Sequence, residues 1–263
     1  MSDTLRVLIV DDDPRMAKTL KDILTVNGHE ADVAYSGPEA LEKMAETHFD
    51  CLLSDIKMPG MNGVELFRAI RETRPDLPVV LMTAYAHDEL VKDGLEEGVI
   101  AVLAKPLDIN ALLSFFAALR KEQSIVIVDD DPGFCKTLGD ILRTRGFVVD
   151  QFVHPSGMVD KIKPCPFVVL LDMKLNGLSG LDVLKEIRER YPRLPVILVT
   201  GCREEMSQSI EAALKIGAYA CLYKPFQIEE LLQLLAEISR REMAGILGQP
   251  ISKRKGTTQV DRL

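Results

Sequence analysis

The chain has 263 residues, enough for two ordinary globular domains that each bury a core of their own. With 47% apolar and 27% charged residues it lacks the polar excess of a disordered chain, and at a net charge of −8 its surface would repel nucleic acid and anionic lipid. No stretch has the roughly 18 consecutive apolar residues of a membrane span, and the start carries no apolar run behind a basic segment, so a cytoplasmic protein with neither nucleic-acid nor membrane partners is expected.

In chain order, Leu5 to Val10 is an apolar run that predicts a strand. Pro14 to Val26 predicts a helix, with Pro in its first turn and Asn27-Gly28 as a left-handed stop. Further strands are expected at Ala31 to Tyr35, Cys51 to Ser54, Val79 to Met82 and Ile100 to Leu103, and further helices at Pro38 to Thr47, Val64 to Thr73, His87 to Glu97 and Ile109 to Lys121. Strands this uniformly apolar suit a parallel sheet covered on both faces. After only Lys121-Glu122-Gln123 a new strand begins at Ser124 to Val128, followed by a helix bracketed by Pro132 and Gly146. So short a join should limit how far two domains reorient. Beyond Arg241 the sequence turns polar, and residues 242–263, with Lys253, Arg254, Lys255 and Arg262, are expected to form a flexible tail.

An internal repeat organises these elements. Val10-Asp11-Asp12-Asp13-Pro14 returns as Val128-Asp129-Asp130-Asp131-Pro132, and Lys18-Thr19-Leu20 as Lys136-Thr137-Leu138. Asp55, Gly63 and Thr83 recur as Asp172, Gly180 and Thr200, and Lys105-Pro106 as Lys224-Pro225. The expected fold is therefore α/β, two tandem (βα)5 flavodoxin-like, doubly wound parallel-sheet domains over residues 1–121 and 122–241, whose ligands sit at the carboxyl ends of the strands. The five Cys are odd in number and scattered, and the four His lack metal-ligand spacing; they read as apolar fillers and as surface or loop residues.

The repeated polar residues all fall at predicted strand ends. Asp11 and Asp12 follow the first strand, Asp55 the third, Thr83 the fourth and Lys105 the fifth. Carboxylates gathered on one rim repel one another unless a cation intervenes, and an all-oxygen ligand set suits Mg²⁺. An acid cluster with one Lys and a Thr hydroxyl also meets the needs of phosphoryl transfer: a nucleophile, neutralised charge and donors for the moving oxygens. Asp13, with Pro14 behind it, is expected to cap the following helix; taken singly, Asp11 and Asp12 could be a solvated turn with such a cap, Thr83 a strand residue and Lys105 a surface ion-pair partner. None of those readings explains why the set recurs.

In these motifs, Asp11-Asp12, Asp55-Ile56-Lys57-Met58-Pro59-Gly60-Met61-Asn62-Gly63, Thr83-Ala84 and Lys105-Pro106, the sequence resembles the response-regulator receiver family of bacterial two-component signalling. The resemblance implies that Asp55 takes a phosphoryl group from the phosphohistidine of a histidine kinase or phosphotransfer protein. It implies Mg²⁺ held by Asp12, Asp55 and the Lys57 carbonyl, with Asp11 acting through water. Thr83 and Lys105 would grip the phosphoryl oxygens, and a cis peptide is expected before Pro106. For the second copy it implies the same roles for Asp129, Asp130, Asp172, Lys174, Thr200 and Lys224, with Gly201 beside the Thr.

Two departures stand out. The second loop, Lys174-Leu175-Asn176-Gly177-Leu178-Ser179-Gly180, lacks the Pro, although Asn176-Gly177 is itself a good turn. The aromatic that family members carry three residues before the conserved Lys is replaced by Val102 and Cys221, with Tyr219 and Tyr223 near but out of register. Lys57 with Tyr85, and Lys174 with Cys202, are expected to tune dephosphorylation differently in the two copies. The expected role is a signalling relay whose output is contact with a downstream protein or pairing into a homodimer. The alternatives are a scaffold that does not switch and a receiver fragment of a larger hybrid kinase or transcription regulator. A small-molecule phosphatase is disfavoured, since Lys57 and Lys174 stand where a second catalytic Asp would be needed.

Overall fold

The computed structural model describes residues 4–85, 89–120, 123–154, 157–162, 166–201 and 207–248. Contacts divide the chain into two compact units, one of residues 1–121 joined by the stretch from Arg240, the other of residues 122–239.

In the first unit, β1 (Arg6–Val10), α1 (Pro14–Val26), β2 (Glu30–Ala34), α2 (Gly37–Glu46), β3 (Cys51–Asp55), α3 (Gly63–Thr73), β4 (Val79–Thr83), α4 (Glu89–Glu97), β5 (Ala101–Ala104) and α5 (Ile109–Arg120) alternate strictly. The strands form one parallel sheet in the order β2-β1-β3-β4-β5. Both faces are covered. Val7, Ile9, Leu53, Val80 and Phe116 belong to one buried cluster and Leu8, Val10, Leu52, Leu81 and Phe67 to another. Successive strand residues point to opposite faces, which is why these strands read as unbroken apolar runs. Local chemistry sets the helix starts: the Asp13 side chain accepts from Arg15 N at 2.9 Å, and Asn62 and Glu65 form a capping box at the head of α3. Helix α1 ends before Gly28, whose φ of +80° is the left-handed conformation that glycine adopts freely.

The second unit contains β6 (Ser124–Val128), α6 (Pro132–Thr144), β7 (Val148–Phe152), α7 (Met158–Lys161), β8 (Val168–Asp172), β9 (Lys174–Leu175), β10 (Leu178–Ser179), α8 (Gly180–Arg190), β11 (Val196–Thr200), α9 (Ser207–Ile216), β12 (Ala220–Tyr223) and the body of α10 (Ile228–Ile246), whose residues from Arg240 on belong to the first unit. Its parallel sheet runs β7-β6-β8-β11-β12, the same order as in the first unit. The Pro-less loop forms something the first copy lacks. β9 and β10 pair antiparallel as a two-residue hairpin turning at Asn176-Gly177, where Gly177 has φ of +84°.

Several expectations shift. Strands β3 and β4 each extend one residue further, so that Asp55 and Thr83 are the last residues of their strands. Helix α10 continues to Ile246, past the 241 at which a polar tail was expected to begin, because Met243 in its last turn and Leu247 just beyond it are 4% and 6% exposed and join the apolar cluster that holds Phe115 and Phe116. His29, expected at the surface or in a loop, lies in a loop but is buried, its ring 5.1 Å from that of Phe116. Cys51 and Cys135 are buried fillers and Cys221 is half-buried. His87, Cys165, Cys202, Lys121 and residues 249–263 lie outside the described residues.

Candidate phosphoacceptor sites

Because β1, β3, β4 and β5 are neighbours and parallel, their carboxyl ends meet on one rim. There the carboxylates of Asp11, Asp12 and Asp55 have oxygens all within 4.8 Å of one another. Residues 94 apart in sequence meet in this cluster: Lys105 Nζ donates to Asp11 Oδ2 at 2.8 Å and lies 3.1 Å from Asp55 Oδ1. Asp11 is 1% exposed, and its other oxygen accepts from Asp13 N at 2.9 Å. Thr83 is buried on the adjoining strand end, its Oγ1 accepting from Tyr85 N at 3.0 Å. The Lys105–Pro106 and Lys224–Pro225 peptides are both cis.

The second unit repeats this arrangement. Asp129, Asp130 and Asp172 have oxygens within 4.8 Å. Lys224 Nζ donates to Asp129 Oδ2 at 2.5 Å and Asp172 Oδ2 at 2.8 Å. The hairpin adds two backbone donors, from Lys174 N to Asp172 Oδ1 at 3.0 Å and from Asn176 N to Asp130 Oδ2 at 3.1 Å. Thr200 is buried, and a Cβ at Gly201 would meet nothing within 4 Å, which leaves open space beside the Thr.

Burial pushes the Asp55 carboxyl above its ordinary range; Lys105 pulls it back only in part, and the charge of Asp11 adds to the rise. Burial likewise raises Asp129 against the pull of Lys224. On each lysine burial works the other way, but hydrogen bonds to two carboxylates outweigh it and hold the ammonium firmly charged. Each cluster thus has too little positive charge for its three acids. Oxygen donors this close, on a partly exposed rim, fit a hard divalent cation such as Mg²⁺. Among the described residues, no other group of three or more His, Cys, Asp or Glu is gathered this way.

The sequence reading undervalued two features. Gly63 and Gly180 carry no role of their own in the repeat or in the loop motifs, yet each lets a helix start directly against the acceptor strand. Gly63 N donates to Ile56 O at 2.9 Å, and a Cβ there would collide with the Asp55 carbonyl oxygen and lie 3.1 Å from Ile56 Cα. The other is a ring: Phe134, whose face lies 4.1 Å from Lys224 Nζ. The Lys57 and Tyr85 pair, singled out from sequence, does meet, with the ammonium 4.5 Å from the ring centroid. Val102 is buried in β5 and Cys221 half-buried in β12, so neither strand carries the aromatic of the family pattern. Tyr219, out of register, instead donates its hydroxyl to Glu237 at 2.7 Å.

Two parallel α/β units, each with three acids, a Thr and a Lys on one rim of strand ends, define a pair of phosphoacceptor modules. The sequence pattern of the response regulator receiver domain matches residues 7–117 and again 125–236, and the chain belongs to that family. It is similar to response regulator receiver protein Anae109_2439 of Anaeromyxobacter sp. (strain Fw109-5), 35% identical over 89% of this chain and 95% of that protein. The response regulator FleR of Pseudomonas aeruginosa is 38% identical over 43% of this chain, which spans only 24% of FleR. Among solved structures, that of the response regulator TrrA of Thermotoga maritima, in complex with Mg²⁺-BeF, is 33% identical, covers 44% of this chain and 98% of its own, and has a TM-score of 0.41. Receiver domains of response regulators are phosphoacceptor modules of two-component signalling, which take phosphate from histidine kinases or phosphotransfer proteins and bind Mg²⁺ at their acidic site. Among the described residues no helix is long and apolar enough to cross a membrane.

Proposed function

We propose that this chain is a cytoplasmic double phosphoacceptor in which Asp55 and Asp172 each receive a phosphoryl group from the phosphohistidine of a histidine kinase or phosphotransfer protein. The observation that carries this reading is the recurrence, in two units, of three carboxylates within 4.8 Å with a Lys ammonium against two of them. A carboxylate oxygen of Asp55 attacks phosphorus, the P–N bond breaks, and the imidazole leaves with its electron pair and takes up a proton. Asp11, Asp12, Asp55 and the Lys57 carbonyl would hold Mg²⁺ in the first unit, and Asp129, Asp130, Asp172 and the Lys174 carbonyl in the second. When bound, the ion neutralises charge on the acids and on the transferring group. Lys105 and Lys224 would offer a charged donor to one phosphoryl oxygen, and Thr83 and Thr200 would offer hydroxyls to another.

Output would pass through a receiver surface altered by the new charge, read by a downstream protein or by a second copy of the chain in a homodimer. Treated with acetyl phosphate and Mg²⁺ and weighed intact, the protein should gain up to two phosphoryl groups. Asp55→Ala and Asp172→Ala should each forfeit one, and a folded protein that gains none would refute the reading. The buried Val102 and the half-buried Cys221 in place of an aromatic favour one second reading, a scaffold whose contacts do not depend on phosphorylation. In that case the same two variants would leave partner binding intact.

A further inference from the structure

The two sites share their acids, their Thr and their Lys, but not what lies on the far side of the Lys. We infer that Phe134 is a positioning residue for Lys224, and that its ring gives the second receiver a pre-oriented ammonium that the first receiver does not have; this rests on the phosphoacceptor reading of Asp172. The Lys224 ammonium sits 4.1 Å from the centroid of the Phe134 ring, well inside the range of about 6 Å over which a ring's electron-rich face attracts a cation. It also touches Asp129 and Asp172 at 2.5 and 2.8 Å, against 2.8 and 3.1 Å for the corresponding contacts of Lys105.

The ring is itself held in place. Phe226 stands edge-on to it, 6.3 Å between centroids at 77°, which fixes the plane that Phe134 presents. The Phe134 backbone N–H donates to Asp131 Oδ1 at 3.1 Å, and Asp131 N donates to Asp129 Oδ1 at 3.0 Å, so the helix start that carries the ring is registered to an acid of the site through two hydrogen bonds. Lysine carries its charge on a flexible four-carbon stem, and a cation held between two carboxylates and a ring has less rotational freedom to lose when a phosphoryl oxygen arrives. In the first unit the equivalent positions, 118 residues before Phe134 and 119 before Phe226, are Met16 and Leu107, and neither side chain has a π-face to offer. The molecule therefore contains its own control.

The experiment compares phosphorylation rates at Asp172 and Asp55, resolved by peptide mass, with acetyl phosphate and Mg²⁺ on the full chain. Phe134→Leu should slow Asp172 about two- to thirtyfold, the range that one cation–ring contact supports, and leave Asp55 unchanged. Phe134→Tyr should restore the rate. Phe134 lines an open groove of about 400 Å³, which has room for the added hydroxyl. An unchanged rate in Phe134→Leu, an equal loss in Phe134→Tyr, or a matching loss at Asp55 would each overturn the inference. The ring contact is also read without phosphate, as an upfield ring-current shift of the Lys224 ε-protons that Phe134→Leu abolishes. A wild-type protein that takes no phosphoryl group at Asp172 would sink the phosphoacceptor reading alone. The absence of the ring-current shift would sink the positioning role alone.

Discussion

Gly63→Ala tests how tightly α3 is fitted to the acceptor strand. The glycine is in helical conformation, so backbone propensity by itself would favour Ala by up to about 1 kcal/mol. Sterics oppose this gain. The new Cβ would land on the Asp55 carbonyl oxygen, with Ile56 Cα at 3.1 Å and the Asp55 carbonyl carbon at 3.2 Å, all backbone atoms that no side-chain rotation can move aside. With every clashing atom in the backbone, overpacking here falls at the upper end of its usual range, about 3 kcal/mol, and set against a propensity gain of about 1 kcal/mol it leaves a net loss of about 2 kcal/mol, or roughly thirtyfold in the local opening equilibrium. Relief can come only from lifting the head of α3 or displacing the end of β3, and the latter carries Asp55. Hydrogen exchange followed by mass spectrometry over residues 51–73 should show the lost protection, and phosphorylation at Asp55 should slow by about tenfold or more while Asp172 keeps its rate. Gly180→Ala, whose Cβ would meet the Asp172 carbonyl oxygen and lie 2.7 Å from Met173 Cα, should do the reverse. A Gly63→Ala protein with undiminished protection and an unchanged rate at Asp55 would refute the reasoning.

Other expectations concern charge and packing. Asp55 holds its proton more tightly folded than unfolded, so ionising it opposes folding; this cost is complete above the raised folded pKa and vanishes below the ordinary value of 3.8. In metal-free buffer Asp55→Asn should therefore be more stable than wild type at neutral pH, and the two urea midpoints should converge as pH falls; a gain that grew in acid would contradict this. Lys105→Met leaves Asp11, 1% exposed, beside Asp55 without its cation, and should cost about 3 kcal/mol at neutral pH, less in acid and less with saturating Mg²⁺. Equal losses at neutral and acid pH in urea titrations would rule out the electrostatic cause. Leu247→Ala should destabilise the first unit by about 2 kcal/mol, seen as lost exchange protection around Phe115 and Phe116, whereas no change there would show that the end of α10 adds nothing to that core.

What the sequence determined by itself was everything carried by local pattern or by repetition. Unbroken apolar runs marked the central strands because both faces of a parallel sheet are buried, and Pro14, Asn27 and Gly28 bounded α1 because caps and stops act within a few residues. Repetition at a nearly constant spacing lifted Asp55, Thr83, Lys105 and their counterparts out of the background of ordinary acids, hydroxyls and lysines. Strand-end placement then brought them to one rim, since neighbouring parallel strands end on the same side.

Only the tertiary structure decided the contacts that depend on which surfaces meet. That Lys105 lies against Asp11 and Asp55 at once is a distance across three strand ends. The end of α10 reads as tail because Arg240, Arg241 and Glu242 dominate its composition, although Met243, Ile246 and Leu247 form a short stripe that becomes legible once a core is there to receive it. Phe134 looks like any apolar residue on the first turn of a helix. Its face is aimed at Lys224 by Phe226 and by the cap at Asp131, and an orientation set by residues far apart in the chain leaves no periodic trace in the sequence.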